Sequence, residues 1–244
     1  MAVIRTIIFQ AYMWLELLLL MFVWLRVQWA NKFSPREKRD ALVDKIVRNW
    51  AKRLLFMAGA KVTVTGKENI PEGRTCVFAS NHQSFFDILV LLAHLDKPHA
   101  ILSKASIGKV PLIRLWMREI HCVYVDRADM KAGIEAINKM IDVINDGYSA
   151  IIFPEGTRSK TGGLLPFHHG SFKIAQRANV PLVICACSGS EQVKKNMFLR
   201  TTHVYLDVLE VVDAAQVRAM STAELSDHAR ERIEKALAER EGKA

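Results

Sequence analysis

Two residues of this chain can exchange a proton near neutral pH if the fold lets them meet. They are His82 and Asp87, in the run Asn81-His82-Gln83-Ser84-Phe85-Phe86-Asp87. An apolar run that reads as a strand, Cys76 to Ala79, precedes them, and one that reads as a helix, Ile88 to Leu95, follows. On one continuous helix, residues five apart point about 140° away from each other, so the pair can meet only if a turn intervenes. Ser84 supplies the turn, because a serine with an acid three residues later, ahead of an apolar run, marks a helix start. His82 is then expected in the loop and Asp87 in the first helical turn, within reach of one imidazole nitrogen. That arrangement suits a histidine general base oriented by a carboxylate. The spacing equally fits a dipole-favoured capping acid beside a polar loop histidine.

Further charged groups fall at predicted strand ends. Phe153-Pro154-Glu155-Gly156-Thr157-Arg158-Ser159 leaves a strand through a proline and a glycine. Arg158 in such a turn is a planar fork suited to phosphate, and Glu155 is placed to bind a hydroxyl or to brace Arg158. Lys104 directly follows another strand, and Arg127 closes Val125-Asp126-Arg127 after the next. In an α/β sheet these loops converge on one rim, where such folds bind ligands. Taken singly, each group reads as a polar turn or a solvated surface charge.

The elements that must position these groups follow from periodicity. Strands are predicted at 61–65, 75–80, 99–103, 121–125, 149–153, 182–187 and 203–209, with helices at 84–95, 108–120, 129–145 and 170–178 between them. In the third helix Met130, Ile134, Ile137, Ile141 and Ile144 step by four and three, and Gly147 is placed to end it. Strands alternating with helices imply an α/β fold, a mixed and largely parallel sheet of about seven strands flanked by helices. Ser221 opens a last, charged helix that carries no visible chemistry.

The N-terminal part differs. Residues 6–25 are almost wholly apolar, with Glu16 the single charge, and about 20 such residues match a bilayer's hydrocarbon thickness. Trp14 and Trp24 are placed for interface depth, whereas Glu16 would be costly at mid-bilayer. Nine basic residues against three acids follow between Arg26 and Arg53, which places this side in the cytoplasm. Leu42, Ile46, Trp50 and Leu54 recur every four residues, describing a basic amphipathic helix that lies on an anionic membrane surface or packs on the globular part. The expected division is a membrane-associated segment over 1–58 and an α/β domain over 59–244.

The formal charge of +9 calls for an anionic partner. No basic platform interleaved with aromatics appears, which argues against nucleic acid. Cys76, Cys122, Cys185 and Cys187 lie in apolar runs without metal-ligand spacing, so buried free thiols are expected.

Four blocks in this order resemble the glycerolipid acyltransferase family, in particular its lysophosphatidate acyltransferases. They are Asn81 to Asp87, Lys104 to Arg127 with Pro111 between, Phe153 to Ser159, and Val180-Pro181-Leu182-Val183, so the resemblance spans roughly residues 60–190. It implies transfer of an acyl group from acyl-CoA or acyl-carrier protein to the sn-2 hydroxyl of 1-acylglycerol-3-phosphate, giving phosphatidate. His82 would be the base and Asp87 its orienting acid, while Lys104, Arg127, Glu155, Gly156, Thr157 and Arg158 would bind substrate. No cofactor, metal or acyl-enzyme is implied, so Ser84 reads as a cap. The implied partners are a membrane lipid, an anionic membrane surface and possibly acyl-carrier protein, with the catalytic domain on the cytoplasmic face. Arg114 stands where relatives often have glycine, and Phe167-His168-His169 where they often have paired lysines. A different lysolipid acceptor, such as a lyso-aminolipid, is the alternative reading, followed by a non-catalytic basic membrane-binding module.

Overall fold

The computed structural model describes residues 2–95, 99–126, 129–159 and 163–242. Within them seven strands form one sheet: β1 (Ala60–Thr65), β2 (Val77–Ser80), β3 (His99–Lys104), β4 (Val123–Val125), β5 (Ser149–Ile152), β6 (Leu182–Ser188) and β7 (Thr202–Val212). Their order is β1-β7-β6-β2-β5-β3-β4. Every pairing is parallel except β6 with β7, where the register shifts after Ile184. The sheet is therefore mixed and largely parallel, as the alternating pattern predicts.

Alternation along the central strands explains why both faces are covered. Phe78, Val183 and Cys185 point to one side, and Val77, Leu182 and Ile184 to the other, all essentially buried. The first side is covered by α1 (Ala2–Phe33), α2 (Arg36–Met57), α3 (Phe85–His94), α4 (Pro111–Glu119) and α7 (Ser190–Asn196). The second is covered by α5 (Met130–Asn145), α6 (Lys173–Ala178), α8 (Ala214–Ala219) and α9 (Thr222–Glu241).

Local signals set most helix ends. Pro111 occupies the first turn of α4, where its missing N–H costs nothing. Gly147 follows α5 at a φ of +94°. Ser221 and Glu224 form a reciprocal capping box that starts α9. Two elements were not expected, α7 and α8, because each is a short helix without a full apolar period. The predicted helix over 108–120 is instead a 3₁₀ turn, Ala105–Lys109, followed by α4. The strand expected from residue 121 starts at Val123, because His121 turns at a φ of +57°.

The N-terminal pair of helices is bonded to the α/β part. The 32 residues of α1 extend about 48 Å at ~1.5 Å per residue. One side of α1, including Phe9, Met13, Leu17, Leu20 and Val27, is buried against the protein. The opposite side exposes Ile4, Ile8, Leu15, Leu18, Leu19, Phe22 and Leu25, and by length and composition the helix suffices to cross a membrane. Glu16 faces inward, where its carboxylate accepts from Tyr12 at 2.7 Å and from Arg53 of α2 at 2.7–3.0 Å. The charge that looked costly for a span thus has its partner in the next helix. Trp24, expected at a membrane interface, instead donates its indole N–H to the buried Glu119 at 3.1 Å. In α2 the apolar stripe packs on α3 and the sheet, with Val43, Ala51 and Leu54 fully buried, which is the second of its two expected placements.

Candidate active site

Strand β2 ends at Ser80, and the chain turns through Asn81 to Ser84 before α3 begins. The side chain of Asn81 bonds the backbone of Cys187 in both directions, Nδ2 donating to the carbonyl at 2.8 Å and Oδ1 accepting from the amide at 2.7 Å. It thereby extends the β2–β6 pairing past the point where β2 leaves the sheet. Ser84 caps α3 in an extended conformation, its hydroxyl accepting from Phe86 N at 3.2 Å. Asp87 returns the bond by accepting from Ser84 N at 2.7 Å, completing the capping box.

The same carboxylate oxygen, Oδ2, accepts from Gln83 N at 2.7 Å and from His82 Nδ1 at 3.0 Å. Because a carboxylate can only accept, the Nδ1 position carries a proton, and in the neutral ring Nε2 is then the lone-pair acceptor. Asp87 is fully buried, and the His82 side chain keeps 11% of its surface exposed. The other oxygen of Asp87 accepts from the Ser190 hydroxyl at the start of α7. Burial of a carboxylate is costly unless its lone pairs are filled, and here backbone amides, a hydroxyl and an imidazole fill them.

The 153–159 segment holds His82 by its backbone and its ring. Phe153 stacks on the imidazole with centroids 4.1 Å apart. Glu155 accepts from His82 N at 2.6 Å, and Ser159 N donates to the His82 carbonyl at 2.8 Å. The second oxygen of Glu155 accepts from Leu165 N at 2.9 Å. Glu155 thus braces the backbone of the His82 loop rather than the Arg158 guanidinium. It is 3% exposed, with both oxygens engaged by backbone amides. Burial pushes its carboxyl up from the ordinary range, while the two amides oppose that rise. Gly156 has a φ of +69°, and a Cβ there would sit 2.9 Å from the His168 ring, so glycine is required on two grounds.

Thr157 and Arg158 are exposed and line a pocket of about 620 Å³ with Gln83, Ser84, Ser159, Glu191, Lys194 and Lys195. Lys104 lies exposed at the end of β3 and is not among the residues that line that pocket. Arg127 lies outside the described residues. Sequence reasoning missed Ser190, Phe153 as a stacking partner, and the lysines of α7. No local signal marks Ser190, since 103 residues separate it from Asp87.

On the other side of Phe85 lies an apolar cavity of about 290 Å³ between α1, α2, α3 and α4. Its walls include Met13, Leu17, Trp50, Leu89, Ile113 and Trp116. Phe85, next to the helix cap, lines both the apolar cavity and the Arg158 pocket. Buried Cys187 borders the acid, and burial together with the Asp87 charge pushes its thiol well above the ordinary range, leaving it inert. Cys76 and Cys185 are also buried and Cys122 partly so, all as free thiols.

Comparison with known proteins agrees with this architecture. The chain is similar to the crystal structure of the 1-acyl-sn-glycerophosphate (LPA) acyltransferase PlsC from Thermotoga maritima. The TM-score is 0.80 at 27% identity, covering 99% of this chain and 98% of that one. A 1-acyl-sn-glycerol-3-phosphate acyltransferase of Borreliella burgdorferi is 28% identical over 194 residues, 79% of this chain and 78% of that protein. The chloroplastic 1-acyl-sn-glycerol-3-phosphate acyltransferase BAT2 of Brassica napus is 37% identical over 134 residues. That alignment takes in 54% of this chain and 39% of the plant protein, so the chain spans well under half of that relative's length. The Acyltransferase family model matches residues 61–188, from β1 to the last residue of β6, and the chain belongs to the acyltransferase family.

Proposed function

We propose that the protein transfers an acyl group from a thioester, acyl-CoA or acyl-carrier protein, to the sn-2 hydroxyl of 1-acylglycerol-3-phosphate. The observation that carries the reading is a buried His82–Asp87 pair at the start of α3, whose Phe85 lines both an apolar cavity and a pocket holding Arg158, the latter lined also by the cap residue Ser84. An acyl thioester needs the first surrounding, since burying each methylene is worth about 0.8 kcal/mol. A phosphorylated acceptor needs the second, where the Arg158 guanidinium offers a bidentate fork. The names of the relatives support the same substrate class.

In this reading Nε2 of His82 takes the proton of the acceptor hydroxyl as its oxygen attacks the thioester carbonyl. Asp87 holds the ring in the productive tautomer and stabilises the imidazolium that forms. Collapse of the tetrahedral intermediate breaks the C–S bond, and the imidazolium returns its proton to the departing thiolate. Ser84 and Glu155 are occupied by the helix cap and by the His82 backbone, so neither is assigned a covalent role. Membrane attachment through the exposed apolar side of α1, with the catalytic part on the cytoplasmic face, supplies the lipid acceptor from the leaflet and the thioester from the cytoplasm.

The test is turnover of lysophosphatidate with an acyl thioester by the full chain in neutral-detergent micelles. Wild type should form phosphatidate, and His82→Ala should lose about 10²–10⁴-fold in kcat with its melting temperature preserved. Equal turnover by the variant would remove His82 from the mechanism.

A further inference from the structure

Helix α7 is tied to the catalytic acid at one end and to the apolar helix at the other. Ser190, its first residue, donates to Asp87. At its far end the Arg5 guanidinium of α1 donates to the carbonyls of Lys195 at 3.4 Å and Met197 at 3.2 Å. Lys194 lies four residues after Ser190, hence on the same helical face and about 6 Å further along the axis.

Two adjoining spaces meet at Lys194. One is the pocket of about 620 Å³ already described, lined by Arg158, Lys194 and Lys195. The other, of about 240 Å³, runs between α1 and α3, with Phe9, Met13, Phe85 and Phe86 as its apolar wall and Arg158 and Lys194 at its charged end. Phe9 and Phe86 pack with ring centroids 5.5 Å apart, so this wall joins the apolar helix to the catalytic one. Arg158 and Lys194 are the two cations that border both spaces. Together the spaces present an apolar wall along α1 and α3 and cations next to the helix cap that holds Asp87.

Charge counting points the same way. A phosphate monoester carries between −1.5 and −2 near pH 7, and Arg158 balances only part of that. Arg158, Lys194 and Lys195 against Glu191 give the larger pocket a formal +2, three cations less one carboxylate. The reacting hydroxyl of the acceptor and its phosphorus are separated by two carbons and one ester oxygen. A cation one helical turn, about 6 Å, from the residue that holds Asp87 is on the scale of that short link.

Resting on the function proposed above, we infer that Lys194 is a further phosphate-binding cation of the acceptor site, beside Arg158. On this inference the lysolipid enters between the N-terminal part of α1 and the C-terminal end of α7. Lys194 lies outside all four sequence blocks and outside the family match, which ends at residue 188.

The experiment measures acceptor and donor KM and kcat for the full chain in neutral-detergent micelles, with lysophosphatidate as acceptor. Lys194→Ala should raise the acceptor KM roughly tenfold with kcat and donor KM nearly unchanged, and Lys194→Arg should restore most of the affinity. Lys235→Glu, an exposed lysine on α9, alters net charge far from the site and should leave all constants as in wild type. An active wild type whose acceptor KM is indifferent to Lys194→Ala, or moves equally with Lys235→Glu, overturns the inference and leaves the proposed function intact. A wild type inert toward lysophosphatidate overturns the function and the inference with it. Because Lys194 is exposed, its variants should melt with wild type, so a changed KM reports on binding and not on folding.

Discussion

Two carboxylates are buried on the same side of this sheet, and their surroundings differ in one decisive respect. Asp87 is filled by uncharged donors, Gln83 N, Ser84 N and the Ser190 hydroxyl, plus one group that can gain or lose a proton, His82. Glu119, at the end of α4, is filled by the Trp24 indole, the Gln28 amide and the Arg39 guanidinium at 2.5 Å. An arginine stays charged throughout the physiological range. The Glu119 cluster is therefore a fixed ion pair joining α1, α2 and α4, whereas the Asp87 cluster pairs its acid with an imidazole and holds no fixed cation among the described partners. A second histidine sharpens the contrast. His121 lies beside the cation of the Glu119 cluster, 3.4 Å from Arg39, and stacks on Tyr148 with centroids 3.8 Å apart. Burial and the Arg39 charge hold its pKa below the ordinary imidazole range, against the pull of Asp40 and Glu119. A histidine beside an anion is set up as a base that can hold the proton it takes; one beside a guanidinium resists protonation.

The largest expected difference comes from neutralising each acid in turn. Asp87→Asn should lower kcat by about 10²–10⁴-fold with a small change in melting temperature, because the amide still accepts from the helix cap. A variant as active as wild type would show that the dyad works without its charge. Glu119→Ala should do the converse, leaving kcat of the folded enzyme near wild type. Its expected cost is about 3–5 kcal/mol of stability, the range for breaking a buried pair and stranding its arginine. Denaturant titration reads that loss, and a catalytic defect without a stability defect would dissolve the contrast.

Ser190→Ala probes a long-range donor to Asp87. Removing a hydrogen bond to a charged group typically costs ~1.5–3 kcal/mol, and as a positioning effect it should appear as roughly a tenfold fall in kcat, partly recovered by Ser190→Thr. If kcat holds and only stability falls, the amides alone orient the acid.

The smallest effect is in acid. Because the folded protein resists protonation of His121 while the unfolded chain accepts the proton near 6.5, stability is full above that pH and declines as pH falls below it. His94, taken down to about 4 by burial and by Lys52, Lys67 and Arg48, adds a slope of the same sign between 6.5 and about 4. His121→Asn, which tolerates the φ of +57°, should flatten part of the decline in melting temperature between pH 7.5 and 5. An unaltered slope would assign the acid sensitivity elsewhere.

Which features were legible in the sequence follows from how far apart the partners lie along the chain. The seven strands, the start of α3 at Ser84 and the meeting of His82 with Asp87 were all readable, because a cap and its acid interact within three residues and a strand declares its alternation over four to seven. The resemblance in the four blocks fixed the family for the same reason, since each block is a short contiguous string. Tertiary structure decided the rest. The order that sets β2 between β5 and β6 brings residues 153–159 and residues 187–190 to opposite sides of the His82 loop. That order assigned Glu155 to the backbone of His82, Ser190 to Asp87 and Lys194 to the neighbourhood of Arg158. Packing of α1 on α2 and α4 turned Glu16 and Trp24 toward the protein. Short-range hydrogen bonds are encoded in spacing, whereas contacts a hundred residues apart depend on which strands are neighbours, and neighbourhood is settled only when the two apolar faces of the sheet are covered together.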